Sequence, residues 1–183
     1  MRRCADGALS LFDFAAEAPI TRLHSYFGAV LACAWSADAR YLVSGGQDDL
    51  IALWDVRRRA LVARGVGHRS WITAAAFSAP PAATDCHVYR LATCAADCRV
   101  LLWELEGAAA AAPLASAAPE GVAPPAAPPA RAYRAAPALP PCCGEALHAQ
   151  PISALLVGRS AITTADVAGV VRVWARPEGE WLD

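Results

Sequence analysis

Lysine is absent from this chain: all 16 basic residues are arginine, against 17 acidic ones, for a formal net charge of −1. With both signs mixed along the sequence, nothing offers an electrostatic grip on nucleic acid or on an anionic membrane. The single basic cluster, Arg57-Arg58-Arg59, follows Trp54-Asp55 where a solvated turn is expected. Long hydrophobic runs are missing too. None nears the roughly 18 to 20 residues of a membrane span, and the N-terminal MRRCADGALSLFDF lacks a continuous signal-peptide apolar region, so a cytoplasmic or nuclear protein is expected. No phosphate loop is present, because GVGHRS and SGGQDD lack both the lysine and the strand-loop-helix context.

The chemistry-bearing residues are equally sparse. Seven cysteines, an odd number irregularly spaced, give no disulfide framework, and Cys33, Cys94 and Cys98 lie in apolar runs where a reduced thiol acts as a small hydrophobe. Cys94 and Cys98 flank a turn, Cys86-His87 lies in a loop, and no second CxxC or His pair completes a zinc set. Cys142-Cys143 with His148 is the one thiol arrangement worth weighing, as a nucleophile or as part of a metal site, and nothing around it completes either constellation. No catalytic residue, metal or cofactor is expected. The hydrophobic fraction of 56% overstates the core, since much of it is alanine.

What the chain does have is a repeat. YLVSGGQDDLIALWDV (41–56) aligns with RLATCAADCRVLLWEL (90–105), with a degraded copy at RCADGALSLFDF (3–14) and another at AITTADVAGVVRVWA (161–175). Each reads as an apolar strand, a turn of small residues and Asp, a second apolar strand, then Trp or Phe. Asp6 to Phe12, Asp48 to Trp54 and Asp97 to Trp103 are each six residues apart, while Asp6 to Asp48 is 42 and Asp48 to Asp97 is 49. Short strands recurring with a period in the forties point to four-stranded β-propeller blades.

With Gly67-His68 before the first strand of one blade and Trp54-Asp55 closing the third strand of the blade before it, the sequence resembles the WD-repeat family. That resemblance implies a buried tetrad of His, Ser/Thr, Asp and Trp in each blade, and the second full copy supplies His68, Thr93, Asp97 and Trp103. The first full copy keeps Ser44, Asp48 and Trp54 with Tyr26 at the histidine position. The last keeps His148, Thr164 and Trp174 with Ala168 where Asp belongs. An imidazole held between a carboxylate and a hydroxyl satisfies polar groups that would otherwise cost about 1 to 3 kcal/mol each. Those two incomplete blades must satisfy their polar groups in some other way.

Ser25-Tyr26-Phe27-Gly28 and the run from Ala63-Arg64-Gly65 to Ser70-Trp71 narrow the likeness. They are similar to the C-terminal half of the family containing the fungal carbon-catabolite-repression WD protein, WD-repeat 20 and the dystrophia-myotonica WD-repeat protein. The expected class is all-β: a partial WD-repeat β-propeller of about three and a half blades with a disordered Ala/Pro-rich insertion. The divisions expected are the end of a truncated blade at 1–20, blades at 21–62 and 63–106, the insertion at 107–146, and a last blade with C-terminal tail at 147–183. Propellers close with typically about 4 to 8 blades, so N-terminal blades are expected to be missing. The prolines between 113 and 141 forbid a continuous helix in the insertion. There APPAAPPARAYR, with Arg131 and Arg134, reads either as low-complexity drift or as a polyproline ligand.

Two large aromatics stand outside the tetrad positions: Phe27, one residue after Tyr26, and Trp71, three after His68. Loops at the Gly-His positions share one rim of a propeller, so these residues belong to adjacent loops. From spacing alone Trp71 either packs over its own blade or projects as an interface anchor. The family likeness favours the second, because its members bind and activate ubiquitin-specific proteases, and aromatics at the positions of Phe27 and Trp71 match their protease-contacting residues. It implies a non-catalytic regulator of deubiquitination with Tyr26, Phe27, Arg69 and Trp71 as partner-binding residues. Its expected partners are a ubiquitin-specific protease and a second WD-repeat protein. A generic WD-repeat scaffold for another complex is the alternative.

Overall fold

Residues 41–46, YLVSGG, are buried at every position, which a strand with one solvated face cannot be. The computed structural model describes residues 2–3, 6–78, 88–106 and 130–175, and it shows why: strands of this kind lie in the middle of sheets covered on both faces. The first sheet comprises β1 (Arg2–Arg3), β2 (Ala8–Asp13) and β3 (Ala18–His24). The second runs β4 (Val30–Trp35), β5 (Tyr41–Gly46), β6 (Leu50–Asp55) and β7 (Ala60–Val66), each antiparallel to the next. The third contains β8 (Ile72–Phe77), β9 (Val88–Ala95) and β10 (Arg99–Glu106). After them come a short helix α1 (Ala130–Ala135) and strands β11 (Ala138–Leu139) and β12 (Cys143–Ala146). The last sheet is β13 (Ile152–Val157), β14 (Ala161–Asp166) and β15 (Val171–Ala175).

The period-two alternation of the strands decides which sheet faces which. Tyr41, Val43, Ile51 and Leu53 join Ile72, Leu91, Leu101, Trp103 and Leu105 in the cluster between the second and third sheets. Their neighbours Leu42, Ala52 and Trp54 turn the other way and pack with Leu9, Leu11 and Leu23 of the first sheet. In the third sheet Ala92, Cys94, Val100 and Leu102 point to the last one, where Ile152 and Ile162 meet them. One strand thus feeds two cores, and the sheets stack as blades.

Local geometry repeats along with the sequence. A register irregularity falls at Val30/Ala32, Ile72/Ala74 and Ile152/Ala154, the same place in the first strand of three consecutive blades. Gly7, Asp49, Cys98 and Gly169 all have positive φ, at 76°, 59°, 65° and 84°, in the turns entering β2, β6, β10 and β15. Each such turn needs one left-handed residue, and the chain meets that need without glycine in two of the four.

Two sequence expectations are corrected here. Boundaries after residues 20 and 62 cut through β3 and β7, because both strands pair with the sheet that precedes the cut. The stretch expected as disorder through residue 146 is ordered from 130 onward, since β11 pairs in parallel with Arg64–Gly65 and β12 completes the third sheet beside β10. Gly144 makes that edge possible, because a Cβ there would lie 2.0 Å from Leu101 Cδ2. The polyproline reading of 123–134 falls mostly outside the described residues, and its described end, α1, is helical. Residues 107–129 and Cys86-His87 are also outside them.

Candidate partner-binding face

The loop from Gly67 to Trp71 is held from below. His68 Nδ1 lies 3.0 Å from Asp97 Oδ2, its Nε2 lies 2.9 Å from Thr93 Oγ1, and Trp103 Nε1–H donates to the same hydroxyl at 2.8 Å. All four groups are satisfied if the imidazole is neutral, with Nδ1–H donating to the carboxylate and Nε2 accepting from Thr93. Burial pulls the His68 pKa down, against the opposing pull of Asp97, which favours that neutral form. Burial also pushes the Asp97 carboxyl upward, but the Arg69 N–H and the His68 bond outweigh it and leave its pKa below the usual value. The Arg69 N–H donates to Asp97 at 2.9 Å and Ala96 N–H to the Trp71 carbonyl at 2.9 Å, so the backbone is fixed on both sides of Ser70. Trp71 itself is 51% exposed.

The preceding blade reaches the same result without a histidine. Trp54 Nε1–H donates to Ser44 Oγ at 2.9 Å. Burial raises the Asp48 carboxyl above its usual pKa, and the N–H groups of Leu50, Phe27 and Tyr26 pull it back toward the ionised form. So Asp48, at the position of Asp97, holds its loop through backbone alone. Gln47 adds a second clamp, its Oε1 accepting from Ala29 N–H at 2.9 Å. Gly28 sits at φ 66° close against Gln47, where a Cβ would come within 2.8 Å. The Phe27 side chain, 70% exposed, takes no part in this clamp.

In the last blade the sequence misplaced one member. His148 Nδ1 meets Asp166 Oδ2 at 2.9 Å, not any group at Ala168, while Nε2 meets Thr164 at 2.7 Å and Trp174 Nε1–H reaches Thr164 at 3.0 Å. The His148 bond holds the Asp166 carboxyl below its usual pKa despite opposing burial. Asp166 also accepts from Ala168 N–H and Val170 N–H, both at 3.0 Å, and so closes the turn itself. With both ring nitrogens engaged, His148 offers nothing to Cys142 or Cys143, whose thiols are pushed up by burial and by nearby acidic side chains. Among the described residues no three His, Cys, Asp or Glu groups converge as a metal site.

The loops bearing Phe27 and Trp71 lead into β4 and β8, which pack against each other, so the two aromatics stand on one rim. The next loop has Pro151 at the place of Trp71. Tyr26 is exposed as well, at 40%, but one side of it rests on the protein. Its ring lies 5.6 Å from that of Tyr133, a residue that the sequence did not single out and that α1 inserts beneath the loop. The signal for it was faint: one aromatic in a run of Ala and Pro.

The family model described as "WD domain, G-beta repeat" matches residues 18–55 and 60–104. The chain is 40% identical over 98 residues to the UBP9-binding protein bun62 of Schizosaccharomyces pombe, a match that covers 54% of this chain and 18% of that protein. It thus spans less than a fifth of the length of that relative. Among solved structures, those titled "Crystal structure of RRP9 WD40 repeats" and "Structure of U3-55K" each give a TM-score of 0.67 at 21% identity. These matches cover 96% of this chain and 44% and 45% of theirs. At that identity the likeness speaks to the fold, and the fold agrees with the stacked sheets and their recurrent turns. Residues 18–55 and 60–104 are therefore similar to WD repeats, and the chain is folded as part of a β-propeller.

Proposed function

We propose that the chain is a non-catalytic partner of a ubiquitin-specific protease, which it binds through Phe27 and Trp71 and whose activity it raises by holding the protease in a productive arrangement. The observation that carries this reading is the pair of exposed aromatics on adjacent loops whose backbones are clamped. A rigid loop presents its side chain without having to be ordered on binding, so such residues make efficient anchors. Similarity to a protein named for binding UBP9 supplies the class of partner. Tyr26 and Arg69 flank the anchors, Tyr26 as support and Arg69 at the margin.

The test is capture of a ubiquitin-specific protease by the full chain, with cleavage of a fluorogenic ubiquitin substrate as second readout. Phe27→Ala and Trp71→Ala are each expected to weaken capture by at least about tenfold, at about 2 kcal/mol for each anchor. Trp35→Ala, at the far end of β4, is the control expected to bind as wild type. Unchanged capture in the Phe27/Trp71 double variant would remove the site. Capture without any rise in cleavage would leave binding and remove activation.

A further inference from the structure

The second blade lacks its tetrad histidine, and the space is not empty. Tyr133 is 2% exposed, 109 positions along the chain from His24, whose backbone carbonyl accepts its hydroxyl proton at 2.8 Å. Its ring meets Trp54 edge-on, with centroids 5.9 Å apart, and Tyr26 on another side at 5.6 Å. It therefore lies between the blade's tryptophan and the residue standing at the histidine position, as His68 lies beside Trp103 at 6.4 Å one blade on. The carbonyl it binds belongs to the residue just before Ser25-Tyr26-Phe27-Gly28.

The chain after Tyr133 is fastened as well. Ala136 is buried in the same cluster, its carbonyl faces Arg64 Nε at 3.4 Å, and Arg64 N–H donates to the Pro137 carbonyl at 2.9 Å. Ala138–Leu139 then pair with Arg64–Gly65. A plug held by hydrophobic burial, three hydrogen bonds and a strand pairing keeps a fixed position, and so can fix what rests on it.

We propose that Tyr133 is an intrachain substitute for the missing histidine, and that the strap Tyr133–Leu139 sets the position of the Tyr26–Phe27 loop on the partner-binding face. Its effect on the loop stands alone; its effect on partner affinity rests on the protease reading. Tyr133 is a positioning residue and touches no partner.

Amide hydrogen exchange of the full chain tests the first part without any protease. Tyr133→Ala is expected to speed exchange in residues 24–29 by about tenfold or more while residues 67–71, clamped by Asp97, keep wild-type rates. Tyr133→Phe keeps the ring and loses the bond to His24, so it should give a smaller change confined to 24–29; it serves also if the alanine variant does not fold. Unchanged rates in 24–29, or equal acceleration of both loops, overturn the proposal. Protease capture tests the second part: Tyr133→Ala should weaken it by about tenfold, and wild-type capture despite a loosened loop would overturn the positioning role. If Phe27→Ala also captures normally, it is the protease site that has failed, and the exchange result stands as evidence for the plug.

Discussion

His68 shows how much of a blade can hang on one ring. It links a hydroxyl, a carboxylate and, through Thr93, an indole, and each of these is buried deeply enough to need its partner. Replacing it with Ala should cost about 2 to 4 kcal/mol, because Thr93 and Asp97 each lose a buried hydrogen bond at about 1 to 2 kcal/mol apiece, while the Trp103 and Arg69 N–H groups stay bound. The depressed imidazole pKa also fixes the sign of a pH effect. Below the unfolded value of 6.5 the unfolded chain takes up a proton that the folded chain resists. Stability therefore falls as pH drops from neutrality toward the lower folded value, by at most about 1.4 kcal/mol per pH unit. Asp97 acts further down: its folded pKa lies below 3.8, so its contribution is present above that value and lost as pH falls through the folded pKa. Denaturant midpoints between pH 7.5 and 5 check the first window. Wild type should lose stability on acidification and His68→Gln should lose less; parallel curves would refute the assignment.

At the scale of elements, the edge of the third blade depends on Gly144. A side chain there would run into Leu101 and the Val100 carbonyl, at 2.0 Å and 3.2 Å, so Gly144→Val should lift β12 off β10. Accelerated exchange at Cys143–Ala146, with β8 and β9 still protected, is the expected result; retained protection would mean the strand shifts register instead. β12 and the strap before it were not legible in the sequence. They are short, lie amid Ala and Pro, and gain their order from distant strands, so local pattern carries no trace of them. The blades were legible because strand alternation, Asp-bearing turns and Trp-ended strands all recur with one period. Within the tetrads, matching by position found His68, Thr93, Asp97 and Trp103 together, and missed Asp166 because a carboxylate two residues earlier can reach the same imidazole nitrogen. What spacing cannot encode is reach.

For the whole molecule, stacking makes stability a sum over neighbouring blades, and the interfaces here are unequal. The cluster between the second and third blades is the largest and includes Trp103, Tyr41, Ile51 and Leu101 at 0–1% exposure. The last blade is joined through Ile152 and Ile162 against Ala92, Cys94, Val100 and Leu102, with a cleft of about 230 Å³ beside Trp174. It also exposes Leu156, Val171 and Val173 at 67%, 63% and 69%, so less apolar area holds it in place. Truncating a fully buried Leu removes transfer energy and leaves a cavity, a cost of about 2 to 5 kcal/mol. Leu101→Ala should therefore lower protection throughout β4–β10, because it strikes the interface shared by two blades. Ile162→Ala should release β13–β15 while β5, β6, β9 and β10 stay protected. Native-state exchange with increasing denaturant separates the two, and simultaneous opening of all sheets in the Ile162 variant would show that the blades are coupled more tightly than their shared cores imply.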